Sequence, residues 1–179
     1  LWDAALHLDL SDAGTRAVAL PLLLAHGVTA VRERWTDCVD CRPEADGRDP
    51  LGVRQALRGD VRAGRTAGPR LLFTGAPLDG PGGPDDGLWT VATADAARAA
   101  VDSTAARRLD AVATHPWLGP AAYRAAATAA RARGLPLVGP APVAVTLDEI
   151  RGAGHRLREG LDEWTVACAA AGDSVRLAL

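Results

Sequence analysis

The segment WDAALHLDL, residues 2–10, has polar side chains at a spacing that could gather them into one site. Successive side chains of an extended strand point to opposite faces. The apolar face would hold Trp2, Ala4, Leu6, Leu8 and Leu10, and the polar face would hold Asp3, Ala5, His7 and Asp9. Carboxylates and an imidazole on one face can bind a metal or move protons. The segment therefore predicts a polar site from which one member is missing.

Composition is that of an ordinary globular protein, with 179 residues, 48% of them apolar and 23% charged. This length favours a single domain over residues 1–179. The net charge of −2, with both signs interspersed, indicates no nucleic-acid or membrane partner. No charged-then-apolar leader opens the chain, and residues 17–25, the longest apolar run, are too few to span a bilayer. We therefore expect a cytoplasmic location.

Two residue types limit the chemistry further. All 20 basic residues are arginines, so a Schiff-base lysine, a P-loop lysine and a carboxylated lysine are excluded. Cys38 and Cys41 form a C-x-x-C pair in a polar stretch, and only Cys168 remains to complete a zinc site. We interpret the pair as incidental, with a metal or redox role as the alternative.

Short apolar segments alternate with alanine-rich segments of helical period, which predicts a parallel α/β sheet. The predicted strands are residues 2–10, 28–34, 71–75, 109–115, 135–139 and 155–160. Helix caps are predicted at Ser11 or Asp12, at Thr93 and at the Thr146–Glu149 capping box, with Pro50 in a first turn. Residues 75–87 (GAPLDGPGGPDDG) read as a loop, and residues 164–179 as a final helix. A flavodoxin-like sheet is the alternative, although the glycine-rich phosphate turn is absent.

Several of these segments, in this order, resemble the metal-dependent amidohydrolase superfamily, in its imidazolonepropionase- and prolidase-like branch. WDAALHLDL resembles the first barrel strand, which has the pattern D-x-H-x-H. The segments LPLLLAHGVTAVRER, RAGRTAGPRLLFTGAPLDGPGG, LDAVATHPWLGPAAYRAAATAARARGLPLVGPAP and GHRLREGLDEW resemble the later units. The resemblance implies a TIM-type (β/α)₈ barrel, of which about six strand–helix units are present and strands seven and eight are absent. It also implies a divalent metal whose bound water attacks an amide, lactam or ester carbonyl.

The sequence departs from the family pattern at nearly every metal ligand. Where the family has two histidines on strand one, this chain has Ala5 and His7. The positions of the strand-four lysine, the strand-five histidine and the strand-six histidine fall on Ala113, Pro140 and Gly160. We interpret the chain as an amidohydrolase homologue whose metal site has degenerated, a pseudoenzyme without metal-dependent hydrolysis of C–N bonds.

Two alternatives stay open. His7 and His115, with Asp3, could hold a single zinc ion as a weak amide, lactam or ester hydrolase, or act as a metal-free acid–base pair. The chain could instead be a non-catalytic module that binds a small molecule at the barrel mouth, or a homo-oligomer that covers its exposed sheet edges. His26 and His155 are interpreted as structural, and Trp89, Trp117 and Trp164 could line a ligand pocket or pack.

Overall fold

The computed structural model describes residues 1–7, 10, 12–34, 49–83, 88–159 and 168. The chain divides into two compact units, unit one over Leu1–Thr74 and unit two over Gly75–Leu179. Both units combine helices with parallel strands, which confirms the α/β class. No helix among the described residues is long and apolar enough to cross a membrane. The prediction of one domain over the whole chain stays a prediction.

In its described residues, unit one contains three parallel strands and two helices. Its elements are β1 (Trp2–Leu6), α1 (Ala13–Ala25), β2 (Ala30–Glu33), α2 (Pro50–Arg62) and β3 (Arg70–Phe73). The strand order is β1-β2-β3, and each pair is parallel. Asp12 caps α1 and Asp49 caps α2, each by accepting a backbone N–H three residues on. These local signals fix the ends of both helices.

Strand β1 differs from the regular alternation predicted for residues 2–10. It ends at Leu6, and its register shifts between Asp3 and Leu6, so that three steps along β1 match two along β2. Such a bulge breaks the period of two. Trp2, which the alternation placed on the buried apolar face, is 62% exposed. Leu8 and Asp9 lie outside the described residues.

The described part of unit two contains five strands and three helices. Its elements are β4 (Leu78–Asp79), β5 (Trp89–Thr90), α3 (Ala94–Ala106), β6 (Val112–Ala113), α4 (Pro120–Ala132), β7 (Leu137–Gly139), α5 (Leu147–Ala153) and β8 (His155–Arg158). Strand β4 pairs with β5, and β6-β7-β8 form a second parallel sheet. A parallel bridge between Leu78 and Thr114 links β4 to β6.

Strand β4 corrects the expectation that residues 75–87 are only a loop. Leu78 and Asp79 are both buried, because they pair with β5 on one side and lie against β6 on the other. The glycines and prolines of this segment indicated a loop, because the two-residue strand is formed only by pairing with residues distant in sequence. The caps of the neighbouring helices agree with prediction, at Thr93 and at the complete Thr146–Glu149 box. The helix predicted over residues 164–179 lies outside the described part, apart from the exposed Cys168.

A hydrogen-bonded chain from α4 to the start of β8 completes the core of unit two. Tyr123 is buried, and its burial, with the nearby charge of Glu149, raises the pKa of the phenol, which keeps its proton. The hydroxyl oxygen lies 3.3 Å from Nδ1 of His155, and Nε2 of His155 lies 3.1 Å from the carbonyl oxygen of Gly139. A neutral imidazole that accepts at Nδ1 and donates at Nε2 fits both contacts.

We expect the variant Tyr123→Phe to lower the free energy of unfolding by about 1–2 kcal/mol, because it removes the donor that faces His155 Nδ1. The ring stacking between the two side chains would remain. Urea unfolding followed by far-UV circular dichroism measures this loss. An unchanged unfolding midpoint would contradict the assigned hydrogen bond.

Candidate functional site

The described residues of unit two bring Asp79 and His115 together at the carboxyl ends of β4 and β6. Oδ2 of Asp79 lies 3.0 Å from Nδ1 of His115, and the exposed fractions of the two side chains are 2% and 11%. The other oxygen, Oδ1, accepts the backbone N–H of Trp117 at 3.0 Å. One buried carboxylate therefore lies against the imidazole ring and binds the turn that follows it.

The backbone around this pair is closely packed, and two glycines make the packing possible. The N–H of His115 donates to the carbonyl of Leu78, which places the imidazole beside β4. A Cβ atom on Gly80 would lie 2.1 Å from the carbonyl oxygen of Trp117. A Cβ atom on Gly83 would lie 2.0 Å from Oδ2 of Asp79. Residues without side chains are needed at both positions for the loop to wrap the carboxylate.

The adjoining ends of β6 and β7 are bound to each other. Oγ1 of Thr114 donates to the carbonyl of Pro140 at 2.8 Å. Gly139 has φ +101°, and a Cβ atom there would lie 2.7 Å from the carbonyl oxygen of Thr114. Ala113, at the position where the family pattern has its lysine, is buried in β6. The polar groups at this edge are thus held by contacts within the protein.

Asp3 and Glu33 of unit one also take part in contacts within the protein. Oδ1 of Asp3 accepts the N–H of Ala5 at 3.1 Å, two residues along the chain. Glu33 is buried, and its Oε1 lies 3.3 Å from Nε of Arg54. The carbonyl of Glu33 accepts the hydroxyl of Thr74 at 3.2 Å. The contacts of Glu33 tie β2, α2 and the end of β3 together, whereas the contact of Asp3 lies within β1.

His7 lies directly after β1 in an environment of positive charge. Partial desolvation, and after it the charge of Arg34, lowers the pKa of His7. Burial, followed by the charge of Arg34, lowers the pKa of Arg32 to about 10, against the opposite effect of Asp3. Nε of Arg32 donates to the carbonyl of Ala4 at 2.7 Å. A charge that disfavours protonation of His7 equally disfavours a metal cation there.

The structure places the predicted site residues in different units. Asp3 and His7 belong to unit one and His115 belongs to unit two, so a joint site of the three stays a prediction. Within the described ranges, no group of three or more His, Cys, Asp or Glu side chains could hold a metal ion. Ala5, Ala113 and Pro140 offer no side-chain ligand atom, so the residues present do not fit the metal centre that the family pattern implies.

Sequence reasoning missed Asp79. The usable signal was the pair Leu78–Asp79 in front of Gly80, an apolar residue and an acid followed by a chain-turning glycine, as at a strand end. His155 is structural as expected, through Tyr123 and Gly139. Of the three tryptophans, Trp89 packs against the core of unit two and Trp117 is exposed. Trp164, Gly160 and the Cys38–Cys41 pair lie outside the described residues.

Alternating helices and parallel strands, with polar side chains at the carboxyl ends of strands, define the class of α/β proteins to which barrel enzymes belong. Bottromycin amidohydrolase has a similar structure, with 25% identity and a TM-score of 0.71, covering 99% of this chain and 36% of that chain. A Bifidobacterium longum protein described as a prolidase gives 22% identity and a TM-score of 0.58 over 77% of this chain and 34% of that chain. Ochratoxinase from A. niger has 15% identity and a TM-score of 0.55, covering 88% of this chain and 46% of that chain.

These structures share the fold of the chain, and the similarity to bottromycin amidohydrolase supports a relationship to the amidohydrolase superfamily. The chain spans between 34% and 46% of the length of the three solved structures. No family model and no curated protein matches the sequence.

Proposed function

We propose that this chain is part of an amidohydrolase-superfamily protein that does not carry out metal-dependent hydrolysis of C–N bonds. The proposal keeps the incomplete TIM-type barrel as the architecture and places a small-molecule ligand at the carboxyl ends of the strands. The observation that carries it is the Asp79–His115 contact of 3.0 Å. His115, which follows β6, has its Nδ1 against a carboxylate. Ala113 in β6 has no side-chain ligand atom at the position where the family pattern has its lysine.

The contacts and charges of two further residues that follow strands, Thr114 after β6 and His7 after β1, support the same proposal. The hydroxyl of Thr114 is bound to the carbonyl of Pro140, at the position where the family pattern has a histidine. His7 stands beside the charge of Arg34, which opposes a cation. Each group near the implied ligand positions therefore has a partner or a charge that a metal site would have to displace.

Metal content is the first test of this proposal. Elemental analysis of the chain, produced without a histidine tag and without chelators, is expected to find divalent metal far below one ion per chain. The physical reason is the absence of ligand atoms at Ala5, Ala113 and Pro140. The matched variants are His7→Ala and His115→Ala, with His26→Ala as a control.

One divalent ion per chain, lost in His7→Ala or His115→Ala and kept in His26→Ala, would contradict the proposal. It would support the alternative of a mononuclear hydrolase, and amides, lactams and esters would then be assayed with that metal. The cytoplasmic location stays a prediction from the sequence.

A second proposal concerns partners, and exposed apolar side chains in unit one favour it. Leu1 and Trp2 at the start of β1 and Val18, Leu22 and Leu24 on α1 are large and exposed. Strand β1 is also an edge of its three-stranded sheet. Exposed edges and apolar surface promote association. We therefore propose that copies of the chain associate through this face.

Light scattering coupled to size-exclusion chromatography tests the association. At micromolar concentration the chain is expected to elute as an oligomer, because burial of these side chains removes apolar surface from water. The double variant Trp2→Ser/Val18→Ser is expected to shift the mass toward the monomer. A monodisperse monomer in the unsubstituted chain would contradict the proposed association.

A further inference from the structure

A cavity of about 480 Å³ lies in unit two at the amino ends of β7 and β8. Its walls are the second half of α4, the residues leading into β7, the end of α5 and the start of β8. From its lining we propose that the cavity binds a small carboxylate with an apolar body. The proposal goes beyond the proposed function, because the candidate site lies at the carboxyl ends of the strands, which are the opposite ends.

The first step of the argument is the size and the apolar part of the lining. Small-molecule sites are concave, mostly apolar and about 300–1,000 Å³ in volume. Helix α5 has seven residues and ends before Gly154, whose φ of 73° is in the left-handed region, whereas α4 has 13 residues. The short helix and small side chains leave space beside the second half of α4. The apolar walls are Ala127, Ala130, Leu135, Pro136 and Ala153.

The second step is the charge of the lining. Arg131 and Arg156 line the cavity, and among the described side chains no carboxylate forms an ion pair with either of them. Nη2 of Arg131 donates to the carbonyl of Gly152 at 2.8 Å, which holds this guanidinium beside the cavity. The other arginines of α4 and α5 are paired with acids, as Arg124–Glu149, Arg133–Asp102 and Arg151–Asp148. The arginines without an acidic partner in these elements therefore lie at one cavity.

The third step weighs these cations against the helix ends. Helices α4 and α5 both end at the cavity, and a helix C-terminus carries roughly half a negative charge. Two guanidinium groups carry two positive charges, so the balance is about one positive charge. The N–H groups of Gly134 and Leu135 donate back to carbonyls of α4, which satisfies part of its end. One negative charge matches this balance better than a phosphate monoester, which carries about −1.5 to −2 at pH 7.

The fourth step is the mode of recognition. A guanidinium donates two parallel N–H groups to a carboxylate, which fixes the orientation of the anion. The apolar body of the ligand would lie on the alanine, leucine and proline walls and lose apolar surface to the protein. A ligand that lacks either part would use only half of this lining.

The experiment measures binding of 2-naphthoate to the whole chain by isothermal titration calorimetry and by amide ¹H–¹⁵N shifts. The neutral 2-naphthamide has the same rings and no charge. The variants are Arg131→Gln and Arg156→Gln, with Arg133→Gln as the matched control. Arg133 removes the same charge, but its guanidinium is bound to Asp102. Thermal unfolding of each variant verifies folding.

The expected result is that 2-naphthoate binds and shifts the amides of Gly134 and Gly154, which line the cavity. Its Kd is expected to rise about fivefold or more in Arg131→Gln and in Arg156→Gln, and to change little in Arg133→Gln. The naphthamide is expected to bind the unsubstituted chain about fivefold more weakly or worse. This comparison of two ligands needs no variant, so it holds even where a variant does not fold.

Three results would overturn the proposal. They are no binding of 2-naphthoate at millimolar concentration, equal affinities for the acid and the amide, and a loss of affinity in Arg133→Gln as large as in the two cavity variants. The last would mean that general positive charge attracts the anion. These outcomes do not involve the metal content of the chain, so the failure of this inference and that of the proposed function are distinguishable.

Discussion

The variant Gly80→Ala is expected to unfold with a free energy lower by about 3 kcal/mol, at the upper end of the cost of overpacking. The added Cβ would lie 2.1 Å from the carbonyl oxygen of Trp117 and 3.1 Å from its carbonyl carbon. Both are backbone atoms, so no side-chain rotation can relieve the contact. The end of β4 and the loop after it would have to move away from the turn after His115.

Gly152→Ala is the matched control for this substitution. Gly152 lies in α5 of the same unit, and a Cβ atom there would meet nothing within 4 Å. Alanine has the higher helix propensity, so this variant is expected to be unchanged or more stable by up to about 1 kcal/mol. Urea unfolding of both variants measures the difference. Equal stabilities would mean that Gly80 and Trp117 are not in the close contact described here.

Removing the carboxylate with Asp79→Ala is expected to cost about 3 kcal/mol, at the upper end of the cost of leaving a buried donor without its partner. The side chain is 2% exposed, so water does not replace it freely. The N–H of Trp117 would lose its acceptor, and the imidazole of His115 would lose the group that faces Nδ1. A buried donor without a partner carries its full desolvation cost.

The exposed pair of Asp102 and Arg133 provides the contrast. Its N–O distance of 2.8 Å is as short as that of the buried pair, but both side chains are about half exposed. Asp102→Ala is therefore expected to change stability by less than about 1 kcal/mol. Chemical unfolding of the two variants separates burial from distance as the source of stability. If Asp79→Ala lowered the free energy of unfolding as little as Asp102→Ala, the burial of the Asp79–His115 pair would not contribute to stability.

The helix ends could be predicted from sequence because their signals are local. Asp12, Thr93 and Thr146 each accept an N–H from three residues on, so the cap and its partner are read in one short window. Asp49 caps α2 in the same way, directly before the predicted first-turn Pro50, although it was not itself predicted. Strand β1 could not be predicted as well. Its polar–apolar alternation indicated a regular strand, but the register shift between Asp3 and Leu6 depends on the pairing with β2.

The candidate site could be predicted only in part. His115 was identified from its place after a strand, whereas its partner Asp79 was read as a loop residue among glycines and prolines. The hydrogen bond from Trp117 to Asp79 spans 38 residues, and no short window of sequence contains both ends. The joint role of Asp3, His7 and His115 came from their residue types alone and stays a prediction, whereas Asp3 is bonded to its own strand at Ala5.

The sequence by itself determined the α/β class, the helix caps and the types of reactive and metal-binding residue that the chain lacks. It has no lysine, and it has Ala5, Ala113 and Pro140 where the resembling family has ligands. Only the tertiary structure decided that Asp79 faces His115, that Tyr123 faces His155, and that Gly80 and Gly139 leave room for a neighbouring backbone. The physical reason is the separation in sequence between the residues that interact. Caps and composition follow from residues close in the chain, whereas a buried polar pair exists only once separate strands have paired and excluded water.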